Sequence, residues 1–454
     1  MKRFTLGYAL AMLVFAAGGL EAQSLKVPVE TFTLPNGLRV TIHEDHQVPL
    51  VAVNIWYHVG SGREVEGRSG FAHLFEHMLF QGSAHVGDDK HFAIVQEAGG
   101  TLNGSTNTDR TNYFELVPSN FLETALWLES DRMGFLLQAL TQAKLDNQRD
   151  VVKNERRQNY ENRPYGMASI RIGEMLYPKG HPYHWPTIGY PADLTAASLD
   201  DVKNFFSQWY NPNNASLVVA GDVNPAEVKR LVTKYFADLP AGPRPPVFTV
   251  QPVSLAENHR DTLEDRVTLP QISIAWHTVP LWSPDDAALD VAAEILAQGK
   301  SSRLHQRLVY HQQSAQTVGA FQGSRELAGA FQVTAQAREG FNLSQMETAI
   351  MEEVARLAKD GPTDVELMRA KNGAEARSVF AVQTVLGKAD RINSYMTFRG
   401  KPDLFNEELE AVRRVTAADV KRVAQTYLTK PHVVLSVVPT GKKELAAAAS
   451  GVQP

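Results

Sequence analysis

His73, Glu76 and His77 fall within five residues of one another in the segment 70-GFAHLFEHMLFQGS-83. Read as a helix, the segment places residues i and i+4 about one turn apart on one face, so His73 and His77 point two imidazoles at a common point. Zinc takes His nitrogens at roughly 2.0–2.1 Å, and a catalytic zinc usually keeps three protein ligands and a water. Glu76, three residues after His73 and next to His77, is placed to take a proton from that water rather than to bind the ion. The order His-x-x-Glu-His is the inverted zinc motif found among metallopeptidase signatures. The competing reading is a partly exposed helix carrying unrelated polar residues.

Composition narrows the alternatives. The chain has 454 residues, 43% hydrophobic and 21% charged, which is globular composition and enough for more than one core. With no cysteine, disulfides, thiol nucleophiles and Cys-based zinc sites are excluded, so any metal is held by His and carboxylate. The net charge of −5 speaks against a general nucleic-acid binder. Residues 1–22 read as a signal peptide, with Lys2 and Arg3 ahead of an apolar run and a small residue at Ala22. No later segment approaches the length of a membrane span. The expectation is export to the periplasm or beyond, with no membrane span once the signal is removed; an uncleaved membrane anchor is the weaker alternative.

The elements that carry the motif are repeated. The segment 198-SLDDVKNFFSQWYNPNNASLVVAGDV-223 is echoed by 416-TAADVKRVAQTYLTKPHVVLSVVPTG-441, each a hydroxyl N-cap, a helix and an apolar strand. Likewise 79-LFQG-82 lies opposite 296-LAQG-299, and 51-VAVNIWYHVG-60 resembles 271-QISIAWHTVP-280. Proline and glycine in 239-LPAGPRPPVF-248 forbid a helix or an inner strand and mark a linker. The expected organisation is a signal at 1–22, an N-terminal domain at 23–238, a linker at 239–248, a homologous C-terminal domain at 249–442 and a flexible tail at 443–454. The fold class is α+β, each domain having helices packed on a mixed or antiparallel sheet. The stretch 31-TFTLPNGLRVTI-42 predicts an antiparallel hairpin at the start. In the second copy, 285-DDAALDVAAEILAQG-299 puts Asp290, Ala293 and Glu294 opposite His73, Glu76 and His77. Packing alone therefore does not demand histidine at these positions.

A third ligand has to come from another helix of the first half, and the acidic, amphipathic run 144-KLDNQRDVVKNERRQNYENRPYG-166 can supply it. Here the chain resembles the pitrilysin-type (M16) zinc peptidases, and in particular an M16B-like two-domain subunit. The likeness runs through the zinc motif, 99-GGTLNGSTNTDRTNYFELVP-118, 181-HPYHWPTIG-189 and 211-NPNNASLVVAGDV-223. The resemblance implies a LuxS/MPP-like metallohydrolase fold, one zinc per chain held by His73, His77 and Glu155, and Glu76 as general base. Glu161 is the rival for Glu155.

The resemblance also implies that Asn103 touches the substrate. The surrounding stretch 101-TLNGSTNTDRTNYFEL-116 suits an edge strand onto which an extended peptide could add. The sequence departs from the family at two places. Gln148 stands where a further Glu is common, leaving a neutral amide to hydrogen-bond a ligand or a water. Val309 and Gln316 stand where active members carry an Arg and a Tyr that stabilise the oxyanion. Arg303, Arg307 and Tyr310 are nearby at the wrong spacing and read as helix-surface residues. These absences lead to the expectation of a dimer, with a homologous subunit supplying the Arg/Tyr pair and substrates that are unfolded peptides. The alternative is a catalytically silent scaffold subunit. A hydrolase of esters or phosphates lacks the glycine-rich loop or Asp cluster it would need.

Overall fold

The computed structural model describes residues 24–246 and 248–448. The expected signal peptide at 1–22 lies outside them. In the first half β1 (Glu30–Thr33), β2 (Arg39–Glu44) and β3 (Leu50–Tyr57) lead into α1 (Phe71–Met78) and α2 (Lys90–Glu97). A hairpin of β4 (Thr101–Thr106) and β5 (Thr111–Pro118) follows, then α3 (Leu122–Ala139), α4 (Gln142–Arg156), α5 (Ala168–Leu176), α6 (Pro191–Ala196) and α7 (Leu199–Trp209). The half closes with β6 (Ala215–Gly221) and α8 (Pro225–Phe236). The second half runs β7 (His259–Asp265), β8 (Gln271–Thr278), α9 (Asp286–Ala297), β9 (Ala315–Ser324) and β10 (Gly329–Ala337). It continues through α10 (Leu343–Asp360), α11 (Asp364–Ala381), α12 (Val385–Arg399), α13 (Phe405–Arg414), α14 (Ala417–Val423) and β11 (Val433–Pro439).

The second sheet repeats the topology of the first without a counterpart of β1. The first has strand order β1-β2-β6-β3-β5-β4 and the second β7-β11-β8-β10-β9. In each, the last strand of the half inserts in parallel beside the first long one (β6 on β2, β11 on β7) while the remaining pairs are antiparallel. The fold is α+β with two homologous units. The local signals behind it are plain. Gly37 takes φ 91° in the turn joining β1 to β2, as the Pro-Asn-Gly sequence demands. Ser198 and Thr416 each close a capping box, with Asp201 and Asp419, at equivalent helix starts.

Helices α1, α3 and α8 cover one face of the first sheet, and α9, α10 and α14 cover the matching face of the second. The opposite faces are covered by exchange. Helix α12 of the second half lies on β3 and β6 through Val385, Ala389, Ile392 and Met396. Its counterpart α5 lies on β8 and β11 through Ala168, Ile172 and Leu176. Inner strands buried on both faces become continuous apolar runs, as β6 and β11 are.

Between Pro240 and Asn258 the described residues join no helix or strand, and the first strand of the second half starts at His259. At the other end, the tail expected to be flexible from residue 443 is docked as far as it is described. Ala447 N–H donates to Ser436 Oγ at 3.0 Å and Ala448 N–H to Ser344 Oγ at 2.9 Å.

Because each half completes the other's core, both should unfold in one cooperative transition. Ile392 is fully buried, and Ile392→Ala is expected to lower stability by about 2–5 kcal/mol. Circular dichroism and tryptophan fluorescence during urea titration should report a single, coincident midpoint shifted to lower urea.

Candidate metal centre

Helix α1 buries Phe71, Ala72, Leu74, Phe75 and Met78, which leaves His73, Glu76 and His77 on its half-exposed face. Its start has no cap of its own. Glu64, from the preceding loop, accepts the N–H groups of Gly70 at 2.9 Å and Ala72 at 2.8 Å and so satisfies the first turn. Burial pushes the Glu64 carboxyl well up, against the pull of those N–H groups. Gly70 has φ 87°, and a Cβ there would come within 2.8 Å of Gly189 Cα, so the loop after α5 lies directly on the helix start.

Helix α4 packs against α1 through Leu145, Gln148, Val152 and Arg156. Arg156 Nη1 donates to Gly189 O at 2.8 Å, tying the end of α4 to the loop that touches Gly70. This docking brings Glu155 to the histidines. Its Oε2 lies 3.2 Å from His77 Nε2 and 3.6 Å from His73 Nε2. Asn159 Nδ2, on the π-helical turn Arg157–Glu161, donates to Glu155 Oε1 at 3.2 Å and holds the carboxylate in place. Glu161 instead accepts from Arg156 Nε at 2.9 Å.

Three donor atoms of these residues lie within 4.8 Å of one another. Two donors bound to one tetrahedral zinc at roughly 2.0–2.1 Å are about 3.3 Å apart, so the spacing and the two-nitrogen, one-oxygen donor set fit that ion. Burial, together with the charge of His77, holds His73 down at about 4, against the pull of Glu155. The imidazole is therefore neutral at pH 7, with its lone pair available. The hydrogen bond with His77 holds the Glu155 carboxyl below its usual range.

Glu76 stands beside this set. Its Oε2 accepts from Thr106 Oγ1 at 2.7 Å, and burial raises its pKa while that hydrogen bond opposes the rise. Thr106 and Gly104 belong to β4, the edge of the first sheet. A Cβ on Gly104 would lie 3.0 Å from Glu76 Cγ and 3.2 Å from the Phe80 ring, so glycine lets the strand run directly under the carboxylate. Asn103, on the same strand, is exposed, and its Oδ1 accepts the Gly104 N–H at 2.9 Å.

The remaining expectations fare differently. Gln148 is buried, but its amide donates to Asn147 Oδ1 at 3.0 Å and to neither imidazole. His73 Nδ1 is buried without a hydrogen-bond partner. Arg303, expected on a helix surface, is 8% exposed and paired with Glu366 at 2.7 Å. Arg307 pairs with Glu352 and Glu353, and Tyr310 is 66% exposed. Val309 packs against the second core, whereas Gln316 is exposed on β9. Sequence reasoning did not single out Thr106, Glu64 or Asn159; the first two act from a strand and a loop whose polar residues have no distinctive spacing.

A second group of acidic and imidazole side chains, His91, Glu115 and Glu129, is fully buried. The cation there is already supplied. Arg132 lies among them, with Nη2 3.1 Å from Glu115 and Nε 2.8 Å from Glu129. Burial drives His91 down to about 3 and Glu129 up to about 8.

The equivalent place in the second half is instructive. Arg377 stands fourteen residues past the N-cap Thr363, as Glu155 stands fourteen past Thr141. Its guanidinium pairs with Glu294, the residue opposite His77. The same helix pair thus closes on an internal salt bridge where the first half presents open donors.

Residues 39–171 match the family described as Insulinase (Peptidase family M16), and residues 196–374 match the one described as Peptidase M16 inactive domain. The chain belongs to peptidase family M16. Among M16 relatives, the zinc protease PqqE of Helicobacter pylori is 29% identical over 440 residues, 94% of this chain and 97% of that protein. A probable mitochondrial-processing peptidase subunit beta from Arabidopsis thaliana is 26% identical, over 89% of this chain and 77% of that protein. The crystal structure of a protease from Helicobacter pylori superposes with a TM-score of 0.86 at 27% identity, covering 91% of this M16 chain and all of that one (100%).

If His73, His77 and Glu155 form the site, the parent chain loaded with zinc and desalted should carry one ion. His77→Ala and Glu155→Ala should each retain less than about a tenth of it, since two ligands seldom hold a structural or catalytic zinc, while Glu161→Ala keeps the parent value. Inductively coupled plasma mass spectrometry on the purified proteins reads the difference.

Proposed function

We propose that this M16 chain is an exported zinc endopeptidase or oligopeptidase that cleaves unfolded peptides laid along β4. The observation that carries the reading is the convergence of His73, His77 and Glu155 beside Glu76, next to β4, which pairs with β5 alone among the described residues. An extended peptide would add to β4 by main-chain hydrogen bonds, with loose demands on its side chains. Asn103, which occupies the Gly104 N–H in the free chain, would turn to the peptide backbone. Zinc, when bound, supplies Lewis acidity and makes a coordinated water more acidic.

The protein's own contribution is to aim and hold the base. Thr106 fixes one oxygen of Glu76, and the other makes no hydrogen bond to the described residues, leaving it to accept a proton. Burial makes Glu76 more basic than a solvated carboxylate, which suits a group that takes a proton from water and returns it to the departing amine nitrogen. The zinc-protease description of the Helicobacter pylori relative supports this reading, as does the signal-like N-terminus for export.

We further propose that the working enzyme is a dimer with a homologous subunit. Val309 and Gln316 offer neither cation nor phenol to a developing oxyanion. In addition, the 18-residue α11 buries only Ala370, and Val365, Met368 and Phe380 on it are 66%, 58% and 64% exposed. Such a face on a lone chain is suited to a partner. The second reading, a silent scaffold, draws on the inactive-domain match over residues 196–374.

Glu76→Gln should keep zinc and lose at least about 10³-fold in peptide turnover, the scale of losing a general base. A chelator should abolish parental activity, and added zinc should restore it. Turnover retained by Glu76→Gln would sink the assignment, and zinc-loaded parent that cleaves no peptide, alone or as its dimer in light scattering, would favour the scaffold.

A further inference from the structure

The hairpin that carries the edge strand is not held at its tip by its own turn alone. Between β4 and β5 the chain turns through Asn107–Arg110, with Asn107 Oδ1 accepting the N–H groups of Asp109 at 2.8 Å and Arg110 at 2.9 Å. The turn rests on the loop before α1. Ser61 N–H donates to Asn107 O at 3.0 Å and Gly62 N–H to Thr108 O at 2.7 Å. A Cβ on Gly60 would lie 2.2 Å from Asn107 O, so backbone meets backbone there.

The remaining contacts come from the loop after α5, through Tyr183, and from the other half of the chain. The connection of β9 to β10, Arg325–Ala328, is the structural equivalent of the β4–β5 turn, and the two tips meet. Asp109, 5% exposed, accepts the Tyr183 hydroxyl at 2.6 Å on one oxygen and the Glu326 N–H at 3.0 Å on the other. Leu327 N–H donates to the Tyr183 hydroxyl at 2.9 Å. The Glu326 carboxylate in turn receives Arg63 Nη2 at 2.7 Å and lies 2.8 Å from His58 Nε2, both in the first half. Arg325 lies 3.9 Å over the Tyr183 ring.

We propose that Asp109 and Glu326 are positioning residues through which the C-terminal half sets the register and rigidity of the substrate strand. The path is short. Three residues before Asp109, Thr106 bonds the Glu76 carboxylate, and Gly104 lies beneath it. Motion of the tip is therefore motion of the surface on which the peptide lies and of the group that orients the base. A buried carboxylate that accepts two donors from separate segments fixes both, whereas an amide in its place accepts only one of them and leaves the other, such as the Tyr183 hydroxyl, without its acceptor. Neither residue touches the metal ligands or the reacting peptide. This inference rests on the proposed peptidase reading for the word substrate, although the mechanical part does not need it.

The test uses full-length, zinc-loaded protein carrying Asp109→Asn, and separately the more exposed Glu326→Gln, which preserves volume and is the safer variant for folding. Amide hydrogen exchange followed by mass spectrometry should rise about tenfold over residues 101–106 and stay within twofold in α1 and in the second core. Zinc content should be unchanged, and kcat/KM for a ten-residue peptide should fall about tenfold, with KM rising. Flat exchange over 101–106 in both variants, or a rise spread evenly through the N-terminal half, would overturn the clamp. A parent chain that cleaves no peptide would overturn the proposed activity instead, and exchange would still decide the clamp.

Discussion

The separation of α1 from α4 is the quantity on which this molecule turns. Two imidazole nitrogens and a carboxylate oxygen are aimed at one point, and electron pairs directed at a common centre repel one another unless a cation lies between them. Holding them there requires rigid backing. It comes from the apolar stripe of α1, from the α4 residues Leu145 and Val152, and from Arg156 reaching to the loop at Gly189. Glu64 completes the arrangement by securing the first turn of α1. None of these groups performs chemistry, yet the donor set has no fixed geometry without them.

The second half shows the same scaffold resolved differently. Arg377 and Glu294 neutralise each other across the helix pair that corresponds to α1 and α4. A built-in guanidinium removes the need for an external ion, and with it the capacity to activate water. The buried cluster around Arg132 follows the same logic within the first half. Of these three sites, the one with two histidines has no arginine or lysine paired with its carboxylate among the described residues.

Much of this was legible in the sequence because the signals are local. The i, i+3, i+4 spacing of His73, Glu76 and His77 defines a helical face, the Pro-Asn-Gly turn defines a hairpin, and the repeated capping boxes define the duplication. What stayed hidden depends on long separations. An amphipathic helix announces that it needs a partner but not which one, so the exchange of α5 and α12 between the sheets could not be read from their patterns. Arg303 was misjudged because its partner Glu366 is 63 residues away. Gln148 was given a role that depends on a side-chain rotamer, and its amide turns to its neighbour. Thr106 is one hydroxyl residue among several on a polar strand, and only the strand's position under Glu76 distinguishes it.

The reciprocal packing of α5 and α12 has a consequence for how the two halves belong together. Each unit leaves one face of its sheet bare for the other to dress, so the covalent passage between Pro240 and Asn258 is not what unites them. Severed within that passage, the pieces would remain one particle, and neither would be a finished object by itself. Two homologous units joined in this way are indivisible, and their chemistry can differ only while the exchanged helices continue to fit.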